Sequence, residues 1–178
     1  MNRAGNPEDV DGPRQQLAAA YDRHGAALYR HALMILMDPG TAEDAVQQAF
    51  AKLAAMGQRM AQLASEEHYL RIAVRNECYR LLDARRRRPT VDMETVAILE
   101  PVETAMVAEE QRQAIESGLR ALPAEQREVV HLKVYESMTF QQIANVLGLS
   151  LNTAASRYRY AMDKLRSLLA DLQRDEVS

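Results

Sequence analysis

Residues 138–160 read MTFQQIANVLGLSLNTAASRYRY. Apolar residues recur at helical spacing on both sides of Gly-Leu-Ser 148–150. Thr139 is a strong helix N-cap, and Gln142, three residues on, completes a capping box. Gly148 can take the left-handed conformation that ends the first helix, and Ser150 can cap the second. On this reading Ile143, Ala144, Leu147 and Leu149 turn inward, with Ala154, Tyr158 and Leu165 on the inner side of the second helix. Asn152, Ala155, Ser156 and Arg159 then share the outer face, with Arg157 and Tyr160 at its margins. Small residues allow the two helices a close crossing, as in a helix-turn-helix. A packed corner without a ligand has the same pattern. The chemistry of the outer face favours DNA: Asn152 suits adenine edges and Arg159 suits guanine edges or phosphate. Ser150 and the first-turn amides form an anion site of the helix N-terminal kind.

Working outward, helical spacing runs from Arg14 to about Met37, with Leu17, Ala20, Tyr21, Leu28, Ala32, Ile35 and Leu36 on the buried side. The first dozen residues are expected to fray. Thr41, with Asp44 as acidic partner, reads as the cap of a second helix ending near Ala55, whose stripe is Ala45, Val46, Ala49, Phe50 and Leu53. Residues 56–65 suit either a loop or a helical continuation. A third helix begins near Ser65, buries Leu70, Ala73, Val74, Cys78 and Leu81, and ends in the arginine run before Pro89. Residues 89–102 contain two prolines, an acidic bias and no periodicity. The expected fold is therefore all-α: two small helical domains, 14–88 and 103–172, joined by a flexible acidic linker at 89–102, with the helix-turn-helix in the second.

The net charge of −3 is misleading for a DNA binder, because charge is zoned. Residues 69–90 hold seven arginines and two acids, residues 92–128 nine acids and three arginines, and residues 133–166 five basic groups and two acids. Phosphate would meet the first and third zones. Tyr69 and Tyr79 beside those arginines are the residue types that stack on unpaired bases, although core packing also explains Tyr69.

Other chemistries find no support. One cysteine excludes an internal disulfide. The four histidines form no metal-spaced set, and there is no phosphate-binding glycine loop. Neither a catalytic residue nor a cofactor is expected. No apolar run approaches the roughly 20 residues of a membrane span, and the N-terminus lacks a signal-peptide core, so a cytoplasmic location is the default. A recombinase accessory domain is the one enzyme-linked reading, and it lacks a nucleophile context.

The segment 122–169, LPAEQREVVHLKVYESMTFQQIANVLGLSLNTAASRYRYAMDKLRSLL, resembles region 4 of bacterial sigma-70 family factors. YDRHGAALYRHALMILMDPGTAEDAVQQAFAKLA (21–54) resembles regions 2.1 and 2.2, and YLRIAVRNECYRLLDARRRR (69–88) resembles regions 2.3–2.4. With both in order and nothing like region 3 between them, the chain resembles the short extracytoplasmic-function (ECF) group. The resemblance implies an alternative sigma factor that binds core RNA polymerase, recognises promoter DNA and starts transcription without bond chemistry of its own. Asp44, Gln47, Gln48 and Phe50 would meet the clamp coiled-coil of the large polymerase subunit. Tyr69, Arg75, Asn76, Arg80 and the run Arg85, Arg86, Arg87 and Arg88 would hold the partly single-stranded downstream element, with a base-capture loop near 57–67. Ser150, Asn152, Thr153, Ser156, Arg157 and Arg159 would read the double-stranded upstream element. An anti-sigma factor is a further candidate partner.

The sequence departs from the family pattern at five places. Gln48 replaces Glu, Ala49 replaces Thr, Tyr69 replaces Trp, Ala154 replaces Val, and Ala155 replaces a groove-facing Lys. Glu66 and Glu67 stand in the expected capture region, where they would serve the helix start rather than DNA. Two other readings stay open: a helix-turn-helix regulator that binds duplex DNA alone, and an all-helical interaction protein.

Overall fold

A computed structural model describes residues 8–87 and 109–175. Its elements are all helical: α1 Glu8–Leu36, α2 Pro39–Ala55, a 3-10 helix Gly57–Gln62, α3 Glu66–Arg86, α4 Glu109–Ala121, α5 Ala124–Val134, α6 Phe140–Leu147 and α7 Leu151–Asp175. The linker and the helical start expected near Glu103 lie outside the described residues. The chain divides into two compact units, Met1–Ala32 with Gly40–Pro89, and Leu33–Pro39 with Thr90–Ser178.

In the first unit, α1 buries Ala20, Leu28 and Ala32. It starts at Glu8, earlier than the periodicity suggests, and includes Pro13. α2 buries Ala42, Ala45, Val46, Ala49, Phe50 and Leu53, a stripe of mostly small residues at three- and four-residue spacing. It begins at Pro39, two residues before the expected cap. Proline is favoured in a first turn because its missing N–H has no helical partner there, so Thr41 lies inside the helix. Tyr21 was expected in the core but is 56% exposed, with its ring edge-on to Phe50 at 5.1 Å. The ambiguous stretch after α2 is the 3-10 helix, entered through Gly57 at φ +53°. α3 starts as expected: Ser65 caps it, accepting from the amide of His68 at 3.2 Å. Its buried residues are Leu70, Arg71, Val74, Glu77 and Cys78, while Ala73 and Leu81 are half-buried.

In the second unit, α7 packs against α4, α5 and α6. Gly118 of α4 gives a close approach, since a Cβ there would stand 2.9 Å from Leu165 Cδ2. Lys164 Nζ donates to Ala121 O at 2.7 Å and so tethers α7 to the end of α4. Arg127 is buried and donates to the carbonyls of Leu119 and Leu122, which occupies one of the few cations in the acidic zone.

The corner at 138–150 follows its sequence closely. Thr139 Oγ1 accepts from the Gln142 amide at 3.2 Å, and Gln142 Oε1 accepts from the Thr139 amide at 2.8 Å. Gly148 sits at φ 64°, ψ 37°, and its amide and that of Leu149 both bond Ala144 O. Gly148→Ala is expected to destabilise the protein by about 1–2 kcal/mol, the cost of a Cβ in the left-handed region. Denaturant unfolding monitored by far-ultraviolet circular dichroism checks this through a lower midpoint at unchanged slope.

Candidate nucleic-acid interface

The helix-turn-helix is built on Val129 and Leu132 of α5, Ile143, Ala144 and Leu147 of α6, and Ala154 of α7, all buried. Met138, Phe140, Val146, Leu149 and Tyr158 pack around this cluster, with Phe140 edge-on to Tyr158 at 5.6 Å. The alanines of the opening stretch divide by role. Ala144 and Ala154 are buried within this cluster, whereas Ala155 lies half-buried on the outer side.

On the outer side of α7, Asn152 and Arg159 are exposed, and Ser156 and Arg157 are half-buried. Arg159 lies over the Tyr160 ring at 5.2 Å, a cation–π contact that limits the guanidinium's wandering on the surface. Arg157 is more constrained than the sequence suggested: its Nη1 is buried with no hydrogen-bond partner among the described residues. Ser150 Oγ accepts from the Thr153 amide at 3.0 Å and stands 2.8 Å from Thr153 Oγ1, so both hydroxyls serve the cap. The first-turn amides of Leu151 and Asn152 have no carbonyl to bond within the helix and are open to an anion. Other cations of this zone are engaged within the fold. Arg166 pairs with Asp163 at 3.0 Å, and Lys133 donates to Met138 O at 3.1 Å over the Phe140 ring.

In the first unit, α3 separates its residues by face. Tyr69, Ile72, Ala73 and Asn76 recur three and four apart and line one cleft with Leu63, Ala64, Ser65, His68 and, from α2, Lys52. The cleft measures about 430 Å³, within the range of small-ligand sites and large enough for one unstacked base. Its wall before α3 is the segment 63–65, inside the stretch expected to form the capture loop. The two acids at the start of α3 are paired: Glu66 with Arg23 at 3.1 Å and His24 at 3.3 Å, and Glu67 with Arg71 at 3.1 Å.

The structure brings only some of the expected downstream residues to the cleft. Tyr69 and Asn76 line it, and Arg80 continues the same face one turn on. Arg75 points along another side of α3, over the Tyr79 ring at 4.7 Å. Arg86 lies 3.9 Å from Asp83, Arg85 is half-buried and Arg87 is exposed. Arg88 falls outside the described residues. Lys52 and Ser65 are cleft residues that the periodicity of α3 could not reveal, because they come from α2 and the loop before α3, whereas His68 lies on α3 four residues before Ile72 and so falls on the same face.

Glu77 borders this face and is buried, at 4% exposure. Its Oε1 accepts from Arg80 Nε at 2.9 Å, and its Oε2 accepts from Lys52 Nζ at 3.1 Å. The Arg80 bond, then the Lys52 bond and charge, hold its carboxyl below the usual 4.5 against the opposing effect of burial. A carboxylate with a lowered pKa contributes stability that is present above the unfolded value and disappears as pH falls through the folded one. The stability difference between the wild type and Glu77→Gln is therefore expected to be constant above pH 4.5 and to shrink below it, as read by urea unfolding across pH 3–7.

On α2, Asp44, Gln47 and Gln48 are exposed and share a face, and Gln47 donates to Glu43 at 3.1 Å. Phe50 does not join them. It is 7% exposed and belongs to the core against Tyr21.

Among the described residues no group of histidine, cysteine and acidic side chains could hold a metal ion, and no helix is long and apolar enough to cross a membrane.

Both units have counterparts among known proteins. Residues 20–88 match the family model of sigma-70 region 2, and residues 118–167 match that of sigma-70 region 4. The chain is 31% identical over 162 residues to the ECF RNA polymerase sigma factor SigL of Mycobacterium tuberculosis, an alignment covering 88% of this chain and 90% of SigL. The probable RNA polymerase sigma factor RfaY of Xanthomonas campestris is 35% identical over 149 residues, although the chain spans only 36% of that protein's length. The structure of the sigma factor RpoE of Bartonella quintana, solved in complex with the anti-sigma factor NepR, superposes with a TM-score of 0.67 at 25% identity, covering 88% of this chain and 96% of RpoE. The chain belongs to the sigma-70 family and, within it, to the ECF RNA polymerase sigma factors.

Proposed function

We propose that the two units divide promoter recognition between them, with α7 reading the upstream element as duplex and the α3 cleft taking one unstacked base of the downstream element. The chain is an alternative sigma factor that directs promoter recognition and transcription initiation, with core RNA polymerase and promoter DNA as its partners. The observation that carries the division of labour is the cleft. A regulator that only docks on duplex DNA has no use for a base-sized recess beside an aromatic residue and a row of arginines.

In this reading Asn152 approaches base edges, Arg159 meets a backbone phosphate, and the amides of Leu151 and Asn152 hold another. Tyr69 stacks on the captured base, Asn76 meets its polar edge, and Arg80, Arg85, Arg86, Arg87 and Arg88 follow the strand's phosphates. Asp44, Gln47 and Gln48 form the contact with the clamp coiled-coil, with Phe50 supporting α2 from beneath. The protein makes and breaks no bond itself. It works in the cytoplasm, where the polymerase is. An anti-sigma factor is a further partner, by analogy with the complex in which RpoE was solved.

Run-off transcription with purified core polymerase on a promoter library tests the function. Transcripts that require both components and share two spaced sequence elements are expected; their absence, together with no binding to core, would reject it. Two substitutions test the assignments. Arg159→Ala is expected to weaken binding to the upstream duplex and to lower the slope of log K against log salt by about 0.9, one phosphate's worth, while Ser167→Ala changes neither. Tyr69→Ala is expected to weaken binding to an opened downstream element by the equivalent of about 1–3 kcal/mol, the usual value of one base stack, without changing upstream binding.

A further inference from the structure

Glu77 is an odd residue to find beside a site for a nucleic-acid strand. An exposed carboxylate would repel phosphate, yet this one is buried and faces two cations from different helices. Arg80 lies one turn further along α3, and Lys52 comes across from α2. The Lys52 side chain is 51% exposed and lines the cleft that Tyr69 and Asn76 also line. An untethered surface lysine samples many rotamers and loses about 2 kcal/mol of entropy when it settles on a ligand. Glu77 has settled it in advance, at 3.1 Å, while half of the lysine side chain stays exposed. The trio keeps a net charge of +1, so the acid orients the cations without cancelling them.

We propose that Glu77 is a positioning residue that holds Lys52 at the cleft so that its ammonium binds the phosphate flanking the captured nucleotide. The assignment rests on the reading of the cleft as a base site. Lysine suits this task as a compact point charge, and pre-ordering it lowers the cost of binding. The opposite view makes Glu77 a neutral structural tie, or a mild repellent of DNA. The two views differ in sign. If Glu77 only adds negative charge near DNA, Glu77→Gln strengthens binding; if it positions Lys52, the same change weakens it.

The test uses the full chain with core polymerase on a promoter fragment selected by the wild-type holoenzyme, its downstream element held open by mismatches. A neutral methylphosphonate replaces each linkage of the exposed strand in turn. For the wild type, one linkage beside the captured base is expected to matter, with a loss of about tenfold, typical of a charged hydrogen bond. Lys52→Gln is expected to bind about tenfold more weakly and to be indifferent to that methylphosphonate. Glu77→Gln is expected to show most of the same loss and the same indifference, to add little in the Lys52→Gln background, and to be largely rescued by Glu77→Asp. Glu77→Gln that binds as tightly as the wild type, or more tightly, with the methylphosphonate penalty intact would overturn the proposal. Should Glu77→Gln not fold, the exposed Lys52→Gln decides alone: a retained penalty overturns the assignment. An abasic residue at the captured position separates the two claims. Wild-type indifference to it removes the base-site reading. A wild type that feels it, with Lys52→Gln still feeling the methylphosphonate, removes only the Lys52–Glu77 assignment.

Discussion

α3 must be buried on one side and open on the other, and the first unit is organised around that requirement. Leu70, Val74 and Cys78 face the core, while Tyr69, Ile72, Ala73 and Asn76 line a cleft. A helix turns 100° per residue, so the two sets alternate along the same twenty-one residues, and any shift in register would bury the tyrosine and expose the core. Caps and cross-links hold the register. Ser65 closes the first turn, Glu66 ties it to Arg23 and His24 of α1, and Glu77 ties the middle to Lys52 of α2. By charge alone the acids of α3 look dispensable, but Glu66 and Glu77 are each committed to a cation on another helix.

The second unit solves a related problem with smaller parts. Two helices can cross closely only where side chains are short, which Ala144 and Ala154 provide beneath the turn at Gly148. The shortage of bulk within the helix-turn-helix is therefore a packing requirement. Ala155 is different. It lies on the outer side where the family pattern has lysine, and the basic groups left there are Arg157, with one nitrogen buried, and Arg159, steadied by Tyr160. The outer face of α7 therefore carries fewer available charges than the basic count of residues 133–166 suggests.

Local signals made much of this fold legible in the sequence. The Thr139–Gln142 capping box, the Gly148 turn, the Ser150 and Ser65 caps and the stripes of α2 and α3 all depend on residues within one or two turns of each other. What escaped depended on contacts distant in sequence. Glu77 shows no partner in the sequence until Lys52 arrives from α2, and for Phe50 the spacing of α2 points to the core while the resemblance points to a polymerase contact, a conflict that its burial against Tyr21 resolves for the core. Thr41 has the side chain of a helix cap, yet the helix begins at Pro39, whose missing N–H costs nothing in a first turn. Tyr69 and Asn76 could be named from the family pattern, but the cleft they line needed the preceding loop and α2 to take shape.

The central claim is that this chain opens promoter DNA as part of the polymerase rather than binding duplex on its own. Permanganate, which oxidises unstacked thymines, reads this directly on a linear promoter fragment. The account predicts reactive thymines in the downstream element only when the chain and core polymerase are both present, and their loss with Tyr69→Ala. Tight protection of the same fragment by the chain alone, with no thymine becoming reactive when core is added, would contradict it.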